Sequence, residues 1–175
     1  LSETYSVDRL NAVSALALFD WVDAERIGIW GHSNGGLIGL RMITITDKAK
    51  AAVLWAGVVG SYVDMLETYL PRIDFLVRLS PPVIEQHGLP SENPEYWDAV
   101  DPFTYLDDIT TPVQLQHGNS DSSVPVELSI SLYNALVAAG KEVELYQYPG
   151  MDHNFFGEAF DQAMQRTVAF FKARL

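Results

Sequence analysis

Three residues in this chain stand where their side chains could do chemistry together: Ser33, Asp121 and His153. Ser33 lies in Gly31-His32-Ser33-Asn34-Gly35, a Gly-x-Ser-x-Gly pattern between a short apolar run and an apolar-periodic stretch. Set between a strand and a helix, that pattern presents a serine nucleophile on a sharp turn. Such a turn strains the serine backbone, so residues two places to either side must be small. Gly31 and Gly35 leave that room, and Gly36 lets the following helix approach the sheet. A serine hydroxyl is a weak nucleophile at neutral pH. It needs a base, normally a histidine oriented by a carboxylate. After a strand-turn-helix serine the expected chain order is acid, then histidine. The loops after the last two predicted strands supply Asp121 and His153 in that order. The chemistry is acyl transfer.

Other residues compete for these roles. His32 adjoins the serine, but neighbours on such a turn diverge, so it is expected to support the turn. His87 falls in an irregular stretch, and His117 points from a strand beside Gly118 as a packed or hydrogen-bonded residue. Asp107 and Asp108 precede their strand and so fall at its wrong end. Asp152 is adjacent to His153 and poorly placed to orient its ring. The histidines and carboxylates lack the close spacing of hydrolytic zinc sites, and Gly31 to Gly36 carries no lysine and fits neither nucleotide fingerprint. No metal or cofactor is expected.

The chain has 175 residues, 48% hydrophobic and 19% charged, which suits one folded domain with a sizeable core. Eleven basic against 23 acidic residues give a net charge of −12, and no Lys/Arg cluster offers a surface to nucleic acid. A substrate neutral or cationic near its reacting end fits that balance. Cysteine is absent, which excludes disulfides and thiolate chemistry and leaves the redox compartment unread. No apolar run is long enough to span a bilayer, and no signal-type segment opens the chain. It begins with Leu1, which fits a processed product, a segment of something longer or an unusual start.

The elements that must hold these residues can be read in order. Apolar steps at Val7, Leu10, Val13, Leu16 or Ala17 and Trp21 predict a helix from about Ser6 to Val22. Asp23 to Glu25 is a polar turn, and a strand follows from Arg26 to Trp30. It sends Ile27 and Ile29 to one face and Trp30 to the other, with Gly28 marking a close approach. A buried helix follows Ser33. Ala51 to Val59 reads as a central strand covered on both faces. Gly60 to Thr110 is proline- and aromatic-rich, with short helices expected near Tyr62–Tyr69, Pro94–Val100 and Pro102–Leu106. There Leu66, Tyr69, Leu70, Phe75, Leu76, Val77 and Leu79 fit either a substrate pocket or a local core. Pro112 to Gly118 is a strand, and Pro125 to Ala139 a helix closed by Gly140. Glu142 to Tyr148 is the last strand. A helix from about Glu158 is expected to turn Phe160, Ala163, Met164, Val168, Phe171 and Leu175 inward. Alternating strands and helices predict an α/β fold with a mostly parallel sheet flanked by helices on both faces. Sites in such sheets form at the carboxyl ends of the strands.

The chain resembles the C-terminal, nucleophile-to-histidine part of α/β-hydrolases, closest to the prolyl oligopeptidase-type serine hydrolases and related esterases. The resemblance runs through Asp23-Ala24-Glu25-Arg26-Ile27-Gly28, the serine turn, His117-Gly118-x-x-Asp121-x-x-Val124-Pro125 and Tyr148-Pro149-Gly150-x-x-His153. It implies Ser33 as nucleophile, Asp121 as acid, His153 as base and the Asn34 backbone N–H as one oxyanion donor. It implies a single catalytic domain over 1–175 with a cap-like insertion at about 60–110. The family's earlier strands are not seen here, nor is the loop that supplies a second oxyanion donor. The Arg26–Trp30 strand is then expected at a sheet edge, covered by a second copy in a homo-oligomer or by a missing N-terminal portion. With no gating domain visible, the leading expectation is hydrolysis of carboxylic esters of small to medium acyl groups. The alternatives are a catalytic fragment of a prolyl oligopeptidase-like peptidase, or a binding or assembly module without turnover.

Overall fold

A computed structural model describes residues 4–175, apart from the side chains of Thr4, Asp74, Phe75 and Leu79. Its frame is a four-stranded sheet in the order β1 (Gly28–His32), β2 (Ala51–Trp55), β3 (Val113–Gly118), β4 (Val143–Tyr148). All three pairings are parallel, with Gly28 opposite Ala51, Ala52 opposite Val113 and Val113 opposite Val143. β1 begins two residues later than its sequence pattern suggests, so it runs to His32 and delivers Ser33 directly at its end.

One face of the sheet carries α2 (Asn34–Ile45), α6 (Val126–Ala138) and the 3-10 turns of Pro102–Asp108. Leu40, Ile43, Leu54, Leu115, Leu132 and Leu136 form that core. Each of these side chains is almost wholly buried, worth roughly 2–3 kcal/mol apiece. The other face is covered by α7 (Gly157–Arg174), with Val53, Trp55, Ala163 and Phe170 between. β2 is buried along its whole length, as its unbroken apolar run requires. Gly28 lets α7 close on β1, since a Cβ there would lie 2.7 Å from the Phe171 ring.

Two amphipathic readings are corrected. The first helix, α1, covers Thr4–Leu16 and ends before Trp21; Val13 is buried, but Val7, Leu16 and Trp21 are exposed. α1 packs on α2 rather than on the sheet, so only part of its stripe finds a neighbour. On α7, Met164 and Val168 face outward and Phe160 is partly exposed with its ring edge-on to Trp55, while Thr167 and Phe170 join Ala163 inside. The reason is polar. Thr167 Oγ1 accepts from Trp55 Nε1 at 3.1 Å and from Gln116 Nε2 at 2.9 Å. Gln114 and Gln116, on the α7 face of β3, are buried as well, and Tyr148 Oη donates to Gln116 Oε1. A wholly buried strand thus carries polar residues because helix and sheet satisfy each other.

Between β2 and β3 the chain forms a one-turn π-helix (Asp64–Thr68), α3 (Asp74–Leu79), α4 (Pro81–His87), α5 (Pro94–Val100) and the 3-10 turns already named. Asn93 and Asp101 cap α5 and those turns, accepting from Tyr96 and Phe103 N–H. Leu66 and Leu76 belong to a second core with Tyr62, Trp97, Leu37 and Leu128 rather than to a pocket. Tyr69 and Leu70 pack against its side, and Val77 is exposed. Phe75 and Leu79 lie outside the described side chains. Gly140, at φ 69°, closes α6.

Candidate active site

Ser33 sits between the last residue of β1 and the first of α2, at φ 58° and ψ −122°. A non-glycine residue held at positive φ costs about 1–3 kcal/mol, and the surroundings enforce it here. Ser33 N–H donates to the Trp55 carbonyl at 3.0 Å, while its own carbonyl accepts from Gly36 and Val58 N–H. At Gly31 an added Cβ would lie 2.3 Å from the Gly35 carbonyl oxygen, and at Gly36 2.7 Å from Gly57 Cα. Gly35 differs from expectation: a Cβ there would meet nothing within 4 Å. Ser33 makes no side-chain cap to α2, so its hydroxyl is not spent on the helix. Asn34, exposed, opens α2; in that position its N–H has no carbonyl one turn earlier to bond, and the helix dipole is positive there.

The acid and the histidine meet. Asp121 Oδ2 lies 2.9 Å from His153 Nδ1, so that ring nitrogen donates and Nε2 is left facing away from the carboxylate. Asp121 Oδ1 accepts from the N–H groups of Ser123 and Val124, each at 2.8 Å. Oδ2 also faces His117 Nε2 at 3.1 Å. Burial acts to raise the Asp121 carboxyl. The bonds from His117, His153, Val124 and Ser123 outweigh it and hold the group below the usual carboxylate range. It is an ionised carboxylate at neutral pH.

Two residues have roles that local reading did not assign. His32 serves the His153 loop rather than the turn alone: its Nε2 donates to the His153 carbonyl at 3.0 Å, and the two rings are 4.7 Å apart. Asp152, set aside as the acid, ties two loops. Its Oδ1 accepts from Ser122 N–H at 2.8 Å, from Ser122 Oγ at 2.9 Å and from His153 N–H at 2.7 Å. The only sequence signal for these is adjacency to Ser33 and His153. The loop after β4 crosses the end of β3 at Gly118, where a Cβ would lie 2.3 Å from the Met151 carbonyl oxygen. His87 is remote, stacked on Tyr96 with ring centroids 3.8 Å apart. Asp107 and Asp108 end the 3-10 turns that precede β3. A groove of about 420 Å³ lies among Val7, Arg41, Ile45, Val100 and Tyr105, beside the later part of α2 rather than at Ser33. Among the described residues no helix is long and apolar enough to cross a membrane.

Comparison with known proteins gives the family and the fold. The prolyl oligopeptidase family (Peptidase_S9) matches residues 3–175. The uncharacterized peptidase YtmA of Bacillus subtilis is 36% identical over 152 residues, covering 85% of this chain and 56% of the relative. A puromycin-hydrolyzing peptidase of Mycobacterium tuberculosis superposes with a TM-score of 0.79 at 26% identity, covering 98% of this chain and 25% of that one. The acylaminoacyl peptidase of Pyrococcus horikoshii gives 0.79 at 26% identity, covering 97% and 28%. The chain therefore spans about half of the first relative and about a quarter of the two solved structures. The fold is that of the α/β-hydrolase peptidases, and the relatives' names are those of peptidases rather than carboxylesterases.

Proposed function

This chain belongs to the prolyl oligopeptidase family, and on that premise we propose that it is the catalytic part of a serine peptidase cleaving short peptides or aminoacyl amides through an acyl-enzyme on Ser33. The observation that carries this reading is the 2.9 Å bond from His153 to Asp121, in a loop that also touches the residue next to Ser33. In the reaction Ser33 Oγ attacks the carbonyl carbon and His153 Nε2 takes its proton. The imidazolium is held by Asp121 through Nδ1–H, and the Asn34 N–H faces the developing oxyanion. His153 then gives the proton to the leaving amine. Water, deprotonated by the same ring, frees the acyl group.

The ester reading now ranks second, because the relatives' names point to amide bonds. Residues 60–110 form the cap-like part of one catalytic domain over 1–175. Their apolar side chains share a core with Val124 and Leu128, next to the Asp121 loop, which supports that assignment. Among the described residues β1 pairs only with β2, and Trp30 within it is 52% exposed. We infer that this edge is covered in the working enzyme, by a second copy or by further polypeptide. Residues 1–175 alone, monomeric in sedimentation and with full titratable activity, would rule that out.

Fluorophosphonate labelling tests the chemistry. The wild type is expected to label and Ser33→Ala not at all, with His153→Ala slowed by about 10⁴-fold or more. An unlabelled wild type overturns the proposal. Aminoacyl and N-acylated aminoacyl amides, assayed beside a short-chain aryl ester, separate the two substrate classes. Turnover of the ester alone would restore the carboxylesterase reading.

A further inference from the structure

We propose that His117 is a positioning residue of this site, holding Asp121 Oδ2 against the His153 ring, and that Ser129 fixes the form of His117 that does so. The inference rests on the Ser33–His153–Asp121 reading above. His117 is the fifth residue of β3 and is wholly buried. Its Nε2 faces two oxygens that can only accept, Asp121 Oδ2 at 3.1 Å and the Val124 carbonyl at 3.0 Å. That nitrogen must therefore carry the hydrogen. On the opposite side Nδ1 lies 2.7 Å from Ser129 Oγ, on the buried side of α6. A hydroxyl rotates to suit its partner, so in the neutral ring Ser129 O–H donates to Nδ1 and keeps the hydrogen on Nε2.

A buried histidine with both nitrogens bonded can serve packing alone. What sets His117 apart is which oxygen it bonds. Asp121 receives four donors: Ser123 and Val124 N–H on Oδ1, His153 and His117 on Oδ2. The backbone pair fixes one oxygen, and the two imidazoles fix the direction in which the other presents its lone pairs. Without His117 the carboxylate is free to tilt about that backbone pair, and the aim of His153 Nε2 loosens with it. His117 also takes a share of the charge on Oδ2. Removing its N–H leaves more of that charge to the bond with His153, which favours the protonated His153 ring. Asp152, bonded to the His153 N–H and to Ser122, and His32, whose ring lies 4.7 Å from that of His153, also face this junction, and the substitutions below leave both in place.

The test compares wild type with His117→Gln, His117→Ala and Ser129→Ala, each checked for fold by circular dichroism. A glutamine amide can present an N–H near the position of Nε2–H; alanine cannot. Two readouts are taken across pH: the rate of fluorophosphonate labelling at Ser33, and an NMR titration of the His153 ring, which needs no turnover. For His117→Ala, labelling is expected to slow at least tenfold. The midpoint of the acid limb and that of the His153 ring should rise together by about half to one pH unit, the size expected for one lost hydrogen bond. His117→Gln should recover most of both, and Ser129→Ala should show the same changes to a smaller degree. A folded His117→Ala with wild-type rate and midpoint overturns the proposal, as does His117→Gln behaving like alanine. Should His117→Ala not fold, Ser129→Ala decides, and an unchanged rate and midpoint there overturns it. A wild type that does not label sinks the peptidase reading alone. The NMR midpoints then still judge His117: moved, it sets His153; unmoved, it does not.

Discussion

Gly118 has no side chain where the loop carrying His153 passes over it. An added Cβ would stand 2.3 Å from the Met151 carbonyl oxygen and 2.7 Å from that of Asp152, both backbone atoms. Gly118→Ala is therefore expected to lift that loop while leaving the sheet in place. Small misplacements of a base cost up to about 10²-fold, and labelling at Ser33 should fall by that order with far-ultraviolet dichroism unchanged. Labelling at the wild-type rate would show that the loop adjusts. At this scale much of the geometry of the candidate site was legible. Ser33, Asp121 and His153 each stand in a local pattern at the carboxyl end of a strand, and the structure brings the last two into contact. His32 and Asp152 were not legible in the same way. Their partners lie on separate loops, and only the packing of those loops creates the bonds. Gly35 shows the reverse error, a small residue whose smallness no neighbour requires.

Elements were legible in number and order where their patterns were long, and less so in which face they bury. The four strands and the helices after Ser33, Pro125 and Phe156 follow the apolar periodicity. On α7 the periodicity misleads, because the sheet beneath it offers the donors of Trp55 and Gln116 and so draws Thr167 inward. Thr167→Val keeps the shape and removes the acceptor. Gln116 Nε2 retains the Gln114 and Ala163 oxygens, while Trp55 Nε1 loses the partner it has here. A loss of about 1–3 kcal/mol in urea unfolding is expected, the cost of one unsatisfied buried donor. Val168→Thr, on the exposed side of the same helix, should stay within about 0.5 kcal/mol. Equal effects from the two substitutions would refute the inward role of Thr167.

Across the whole molecule, Asp101 joins the two ends of the 60–110 segment. Its Oδ2 accepts from Tyr62 N–H at 2.7 Å and its Oδ1 from Phe103 N–H at 2.9 Å. Burial pushes its carboxyl up to about 6, against the lowering effect of the Phe103 N–H. A carboxyl raised in the folded state stabilises the fold below its unfolded value of 3.8, and that contribution is lost as pH rises through about 6. Asp121, held low, acts oppositely and withdraws stability as pH falls below the ordinary carboxylate range. The difference in Tm between Asp101→Asn and wild type isolates the first effect. It should shift in favour of the variant between about pH 4 and pH 6 and level off above that, and a flat difference across that window would contradict the burial assigned to Asp101. The pairing of the sheet in chain order has a consequence of another kind. On the proposed roles the nucleophile follows β1 and the base follows β4, so synthesis makes Ser33 early and His153 only after β4 is complete. On that reading a chain still emerging from the ribosome carries Ser33 without its base until the loop after β4 has crossed Gly118.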